Sequence, residues 1–217
     1  MSSRDWNISI WVLLLRTTEE TIQPMKSVLV TGGATVTFVA LLQLTLNEKF
    51  IFALKKNNFD KLIIQYGTQP TGESLFLSLI DRLTNQDYNK SQLDQIYNIK
   101  LKDGFLIQGL SFDTDFVKNY TSKVDLVISH GGTGSILDTL RAGKKLVVVV
   151  NDTLADNHQL ELTEKFAERE VLGYCKKNTV EELIDQVNQV ESRQFKRLAP
   201  SKGKIVQDVI LNKIIKS

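Results

Sequence analysis

The feature that most constrains the fold is a glycine-rich turn between a buried strand and a helix. Residues 124–129 form an apolar run that predicts a strand, and the turn after it reads His130-Gly131-Gly132-Thr133-Gly134. Glycines allow the backbone to turn sharply, and the N–H groups at the start of a helix attract anions. The sequence therefore predicts an anion site at this turn.

The residues beyond the turn predict a helix and a second strand. Ser135 and Asp138 have the spacing of a capping box, and Gly143 is placed to end the helix. An apolar strand follows at 146–150, and after it come the polar residues Asn157, His158 and Gln159. Because parallel strands present ligands at their carboxyl ends, we expect two adjacent loops to face one crevice.

Strands alternate with helices along the rest of the chain. Predicted strands lie at 27–31, 60–66, 104–109 and 173–175, and predicted helices at about 38–56, 75–83, 113–120, 157–169 and 179–190. Residues 84–100 are polar and are interpreted as a surface insertion. The alternation predicts an α/β fold, with a Rossmann-like, mostly parallel sheet and helices on both faces.

Composition excludes several classes of protein. A chain of 217 residues favours one domain, and a formal net charge of +2 gives no bulk electrostatic case for a nucleic-acid partner. One cysteine and two histidines provide neither an internal disulfide nor a cluster of metal ligands. We therefore expect no metal, and a reducing compartment fits best.

The two ends of the chain differ from its centre. Residues 1–24 contain the apolar run ISIWVLLL, which is much shorter than the ~20 residues that span a bilayer. We interpret 1–24 as an extension, with Met25 as the expected functional start, and 25–198 as the main domain. Residues 199–217 contain a predicted last helix at 205–215, whose apolar side is a candidate partner contact.

Another glycine turn, with Gly32, Gly33 and Thr35, follows the first strand and superficially resembles a dinucleotide-binding turn. Three absences count against that reading: a third glycine, a carboxylate after the next strand and a Tyr-x-x-x-Lys pair. A nucleotide- or dinucleotide-binding oxidoreductase is therefore the weaker alternative. His130 lies beside the other glycines and is the candidate catalytic residue.

Three segments carry a resemblance to a known family, namely SHGGTGS at 129–135, KLVVVVN at 145–151 and DNHQ at 156–159. They resemble the catalytic subunits of the eukaryotic transferase that adds the second N-acetylglucosamine (GlcNAc) to dolichyl-diphosphate-GlcNAc. The likeness covers 25 to about 175 and is most specific in the central stretch. More distantly, the chain is similar to the donor-binding half of the bacterial GlcNAc transferase that makes lipid II.

The resemblance implies one half of a two-domain, GT-B type glycosyltransferase with UDP-GlcNAc as donor and no cofactor. It implies that the diphosphate is held by Gly131, Gly132, Thr133, Gly134 and Ser135. It implies that Asn157, His158 and Gln159 contact the sugar or ribose. The opposite side of the site, near the phosphates and the acceptor, would be closed by residues 31–35, which include Thr31, Gly32, Gly33 and Thr35.

A GT-B active site lies between two domains, and this chain is long enough for one of them. In the family the acceptor half is a membrane-anchored subunit. The resemblance thus implies a cytoplasmic chain recruited to the cytosolic face of the endoplasmic reticulum, where the acceptor is dolichyl-diphosphate-GlcNAc. A non-catalytic assembly subunit with the same fold remains the alternative from another class.

Overall fold

The computed structural model describes residues 25–84, 89–93, 96–150 and 157–193. The predicted extension at 1–24 and the predicted last helix at 205–215 lie outside the described residues. The domain boundaries expected near residues 24 and 198 therefore stay predictions.

An eight-stranded sheet forms the centre of the described chain. Across the sheet the order is β3-β4-β5-β2-β1-β6-β7-β8. Six neighbouring strands run parallel, namely β5, β2, β1, β6, β7 and β8. At the other edge, β3 pairs antiparallel with β4, and β4 pairs antiparallel with β5. The strands are β1 (Ser27–Thr31), β2 (Lys61–Gln65), β3 (Asn89–Leu93), β4 (Ile96–Lys100), β5 (Leu106–Leu110), β6 (Leu126–Ser129), β7 (Lys145–Val149) and β8 (Gly173–Cys175).

Helices cover both faces of this sheet, as the alternating pattern predicts. Val28 and Val30 are fully buried in a cluster that includes residues of α1, α2, α3 and α7, whereas Leu29 packs in a second cluster with residues of α5 and α6. The helices are α1 (Val39–Thr45), α2 (Glu48–Lys56), α3 (Pro70–Thr84), α4 (Phe116–Asn119), α5 (Thr133–Arg141), α6 (Asn157–Glu168) and α7 (Val180–Ser192), with a 3-10 turn at Thr121–Lys123. The predicted α/β class and two-sided architecture are confirmed.

The polar stretch at 84–100 is not a plain surface insertion. It contains the antiparallel strands β3 and β4, and β4 extends the sheet beyond β5. Tyr97 and Ile99 alternate with more exposed neighbours and are buried on one face, which is the pattern of a half-buried strand. A hydrogen bond of 2.6 Å from the Gln108 amide to the Asn98 side-chain oxygen also joins β4 to β5. The abundance of Asn, Gln and Lys concealed this alternation.

Two predicted helices have different bounds in the structure. The helix expected at 38–56 is divided at Asn47, whose extended backbone ends the α1 segment and whose side chain accepts a hydrogen bond of 2.9 Å from the Lys49 N–H. The helix expected at 75–83 begins earlier, at Pro70. Proline is well suited to a first helical position, because its missing N–H would have no partner there.

Candidate functional site

Two glycine turns leave the sheet side by side at its carboxyl edge. β1 and β6 are parallel neighbours, and Thr31 at the end of β1 is in register with Ser129 at the end of β6. Gly32 and Gly33 follow β1 and form the first glycine turn, and His130 opens the second glycine turn, which follows β6. The topology thus brings together two turns that are about 99 positions apart in the sequence.

Helix α5 begins in the second turn without a capping side chain among the described residues. Gly132 is the N-cap, and the Ile136 N–H donates to the Gly132 carbonyl at 3.0 Å. The predicted capping box of Ser135 and Asp138 is wrong, because Ser135 already lies within the first helical turn. The N–H groups of that turn lie at the positive end of the helix dipole, where an anion is favoured.

The other end of α5 is closed as the sequence predicts. The Gly143 N–H donates to the Leu140 carbonyl at 3.0 Å, and the Lys144 N–H donates to the Thr139 carbonyl at 3.2 Å. This pair of bonds is the Schellman pattern of a helix that ends at a glycine. The amino end of α5, by contrast, has no capping side chain within the described residues, and the helix dipole is positive there.

The glycines of the second turn serve different purposes. Gly131 is buried with φ +89°, and a methyl group placed on it would lie 3.3 Å from Cγ1 of Val148, so it permits the turn. Gly134 is exposed, and a methyl group there would meet nothing within 4 Å in the described structure. Open space therefore borders the first turn of α5 at Gly134.

The first glycine turn is held at both of its ends. Gly33 has φ +94°, and its N–H donates to Oγ1 of Thr31 over 3.4 Å. The Thr68 N–H donates to the Ala34 carbonyl at 3.0 Å, which joins the turn to the loop after β2. Thr35 is exposed next to this contact. The turn is thus fixed to β1 and β2, with Thr35 open to solvent.

The imidazole of His130 lies between the two glycine turns. Its Nδ1 is 3.3 Å from the Thr31 carbonyl, and the His130 N–H donates to the same oxygen at 3.1 Å. A methyl group on Gly132 would lie 2.5 Å from Nε2 of His130, and one on Gly33 would lie 3.5 Å from it. The ring therefore packs closely against Gly132, where a side-chain carbon would clash with it, whereas the glycine at 33 is required by its positive φ.

The protonation of His130 follows from these contacts. Burial lowers the pKa of the imidazole from its ordinary value, and the hydrogen bond to the Thr31 carbonyl acts in the opposite direction. A carbonyl only accepts, so Nδ1 carries the proton in this bond. Nε2 of the neutral ring is then an acceptor that faces the glycine turns.

The structure places most of the predicted residues at this edge. His130 contacts both glycine turns, Thr133 and Ser135 follow in the first turn of α5, and Thr35 is exposed. Asn157, His158 and Gln159 form the start of α6, and their side chains lie outside the described part of the structure. Their predicted contacts with a sugar stay predictions.

Gln65 was not predicted at this edge, and neither was its contact with Thr31, which belongs to the predicted segment 31–35. Thr31 and Gln65 are buried polar residues at the last positions of β1 and β2, and they hydrogen bond to each other at 2.6 Å. The available signal was a polar residue at the end of each apolar strand.

In the part of the chain that the structure describes, no group of three or more His, Cys, Asp or Glu side chains is arranged to hold a metal ion. Within the same residues, no helix combines the length and the apolar character needed to cross a bilayer.

A parallel sheet with glycine turns and an uncapped helix at its carboxyl edge is characteristic of nucleotide-binding α/β domains. The chain belongs to the glycosyltransferase family 28 C-terminal domain family, whose model matches residues 27–212. It is therefore one half of a GT-B type glycosyltransferase, and the oxidoreductase alternative has no support from this match.

Curated relatives narrow the comparison. The chain is 38% identical to the UDP-N-acetylglucosamine transferase subunit ALG13 of Kluyveromyces lactis, over 86% of this chain and 97% of that protein. It is 40% identical to the protein of the same name from Saccharomyces cerevisiae, over 69% of this chain and 75% of the relative.

Solved structures agree with the fold. An NMR solution structure of ALG13 matches with a TM-score of 0.67 and 32% sequence identity, covering 89% of this chain and 98% of the other. MurG of Acinetobacter baumannii matches with a TM-score of 0.52 and 21% identity over 79% of this chain and 42% of MurG. This second likeness concerns the fold alone.

Proposed function

We propose that this chain is the catalytic, donor-binding subunit of the enzyme that transfers GlcNAc from UDP-GlcNAc to dolichyl-diphosphate-GlcNAc. This is the second sugar step in assembly of the lipid-linked oligosaccharide for N-glycosylation. The name of the yeast relatives, UDP-N-acetylglucosamine transferase subunit, supports the donor and the role as a subunit. The resemblance of the central motifs supports the acceptor.

The observation that carries the donor part of the proposal is the uncapped amino end of α5 beside the first glycine turn, which follows β1. When the glycosidic bond to the diphosphate breaks, negative charge grows on the departing UDP. Backbone N–H groups fixed at Gly132 to Ser135 stabilise that charge without reorganising during the reaction. Loss of one such donor typically raises the barrier by about 3 kcal/mol. No cofactor enters this step.

His130 is the proposed catalytic residue. Its neutral ring presents Nε2 toward the glycine turns, and burial lowers the pKa of the ring, which keeps this nitrogen unprotonated at neutral pH. Nε2 can then accept the proton of the acceptor's hydroxyl group or a hydrogen bond from the donor sugar. Both roles require Nε2 without a proton, so in either case turnover should fall at low pH as the ring becomes protonated.

The acceptor half of the enzyme is proposed to be a second, membrane-anchored polypeptide. The word "subunit" in the names of the relatives supports a complex, and a GT-B site lies between two domains. The chain would thus act at the cytosolic face of the endoplasmic reticulum, and residues 199–217 are the proposed contact with the anchor.

The direct test is transfer of radiolabelled GlcNAc to dolichyl-diphosphate-GlcNAc by the purified chain, with and without membranes that contain the partner. We expect transfer only when both are present. No labelled lipid with both present would overturn the proposed function.

Donor specificity and the assembly alternative need separate measurements. UDP-GlcNAc should raise the temperature at which half of the chain is unfolded, and NADH should not. The non-catalytic alternative predicts that a variant unable to bind UDP-GlcNAc still supports full transfer once it assembles with the partner. The proposed function predicts that such a variant assembles and is inactive.

A further inference from the structure

Thr31 connects three parts of the candidate site. Its hydroxyl donates to Oε1 of Gln65 at 2.6 Å and accepts the N–H of Gly33 at 3.4 Å. Its carbonyl accepts from the backbone N–H of His130 at 3.1 Å and from Nδ1 of the His130 ring at 3.3 Å. One residue at the end of β1 therefore contacts the first glycine turn, the second glycine turn and β2.

The bond to Gln65 determines how the Thr31 hydroxyl is used. A hydroxyl has one proton and two lone pairs. Because the proton goes to Oε1 of Gln65, the lone pairs are left to accept from Gly33. Thr31 and Gln65 are each only 4% exposed, so water does not readily replace either partner.

From these contacts we infer that Thr31 and Gln65 form a positioning pair for the donor site. The pair fixes the direction of the Gly33 N–H, and the Thr31 carbonyl holds His130 in the tautomer with Nε2 unprotonated. This inference rests on the proposed function, and it assigns neither residue to contact with the substrate. A displacement of about 1 Å in a reacting group can lower a rate on the order of 100-fold, so a small rotation of the first turn is sufficient to matter.

The chain provides a matched control in Ser129. Its side chain points to the same face of the sheet as that of Thr31, because the two residues are in register on adjacent parallel strands. Ser129 is fully buried, and its hydroxyl has no hydrogen-bond partner in the described structure. Ser129→Ala therefore removes a buried hydroxyl from the same row without breaking a bond to either turn.

The test compares Thr31→Val, Thr31→Ser, Gln65→Met and the double variant Thr31→Val/Gln65→Met with Ser129→Ala. Each chain is assembled with the membrane subunit, and kcat and KM for UDP-GlcNAc are measured. We expect Thr31→Val and Gln65→Met each to lower kcat/KM about 10- to 100-fold. We also expect the double variant to be no worse than either single one, since both break the same pair. Thr31→Ser, which keeps the hydroxyl, and Ser129→Ala should stay within about twofold of the unaltered enzyme.

A purely structural role predicts something else. In that case Thr31→Val and Gln65→Met lower the thermal midpoint but leave kcat/KM per folded complex at the level of Ser129→Ala, which would overturn the inference. If Thr31→Val does not fold, Gln65→Met against Ser129→Ala decides the question in the same way. Failure of the proposed function is distinct, because the unaltered chain with its partner would then transfer no GlcNAc.

Discussion

Gly134→Leu should move stability and donor binding in opposite directions. Gly134 is the second residue of α5, it is exposed, and a side-chain carbon there meets nothing within 4 Å in the described structure. Replacing a helical glycine by a good helix former stabilises a helix by up to ~1 kcal/mol. For a domain of this size the thermal midpoint should rise by about 2–4 °C at most.

The same leucine fills the space in front of the N–H groups in the first helical turn of α5, where we place the diphosphate. Loss of one N–H contact of this kind costs about 3 kcal/mol, which corresponds to roughly 100-fold in kcat/KM. The assays are a thermal melt of the chain, calorimetric titration with UDP-GlcNAc and GlcNAc transfer by the complex. We expect a midpoint that is unchanged or higher together with binding and transfer that are greatly reduced.

Gln189→Leu is the control for an added exposed leucine. Gln189 is exposed on α7, which packs on the opposite face of the sheet from α5. It should leave donor binding unchanged. Normal UDP-GlcNAc affinity in Gly134→Leu would refute the placement of the diphosphate, and equal losses in both variants would mean that the loss at Gly134 is not specific to this site.

Three further predictions concern protonation and packing. Because the pKa of His130 is lowered in the folded chain, its neutral form stabilises the fold above about pH 6.5, and this contribution is lost as the pH falls. In His130→Gln the unfolding free energy should therefore depend less on pH in that range, and parallel curves for the two proteins would contradict this. Burial raises the pKa of the Cys175 thiol to about 12, and Glu182 adds to the effect. A thiol reagent should therefore label Cys175 only after denaturation, and rapid labelling of the native chain would contradict this. In Gly109→Ala the new methyl group would lie 2.4 Å from Cζ of Phe76. Urea unfolding should therefore show a free energy of unfolding lower by ~1–3 kcal/mol. An unchanged urea midpoint would show that the Phe76 ring moves aside freely.

Local patterns were sufficient to predict the elements on which the site is built. The glycines after β1 and β6 predict sharp turns, and Gly143 predicts the end of α5. Thr179 predicts the start of α7, and its side chain accepts from the Glu182 N–H at 3.3 Å. Each of these features depends on neighbours within a few positions, which a sequence pattern reports directly.

Features that depend on strand register were not predictable in the same way. Thr31 and Gln65 are 34 positions apart, and they meet only because β1 and β2 pair in parallel with these two residues opposite each other. The contact of His130 with the Thr31 carbonyl likewise requires β1 and β6 to be neighbours. A sequence pattern does not specify the order of strands in a sheet.

Two local errors have local causes. The break at Asn47 has buried apolar residues on both sides, at Leu41 to Leu46 and at Phe50 to Leu54, so the helical periodicity conceals it. At α5 the Ser135 and Asp138 pair imitates a capping box one turn too late. Gly132 is the actual N-cap, and a glycine offers no side chain to signal that position.

The central claim is that backbone N–H groups at the start of α5 bind the diphosphate of UDP-GlcNAc. Amide chemical shifts of the isotopically labelled chain during a titration with UDP-GlcNAc test it most directly. We expect the largest saturable changes at Gly132, Thr133, Gly134 and Ser135, with further changes at Gly33. Saturable changes confined to other parts of the domain, with these amides unmoved, would contradict it.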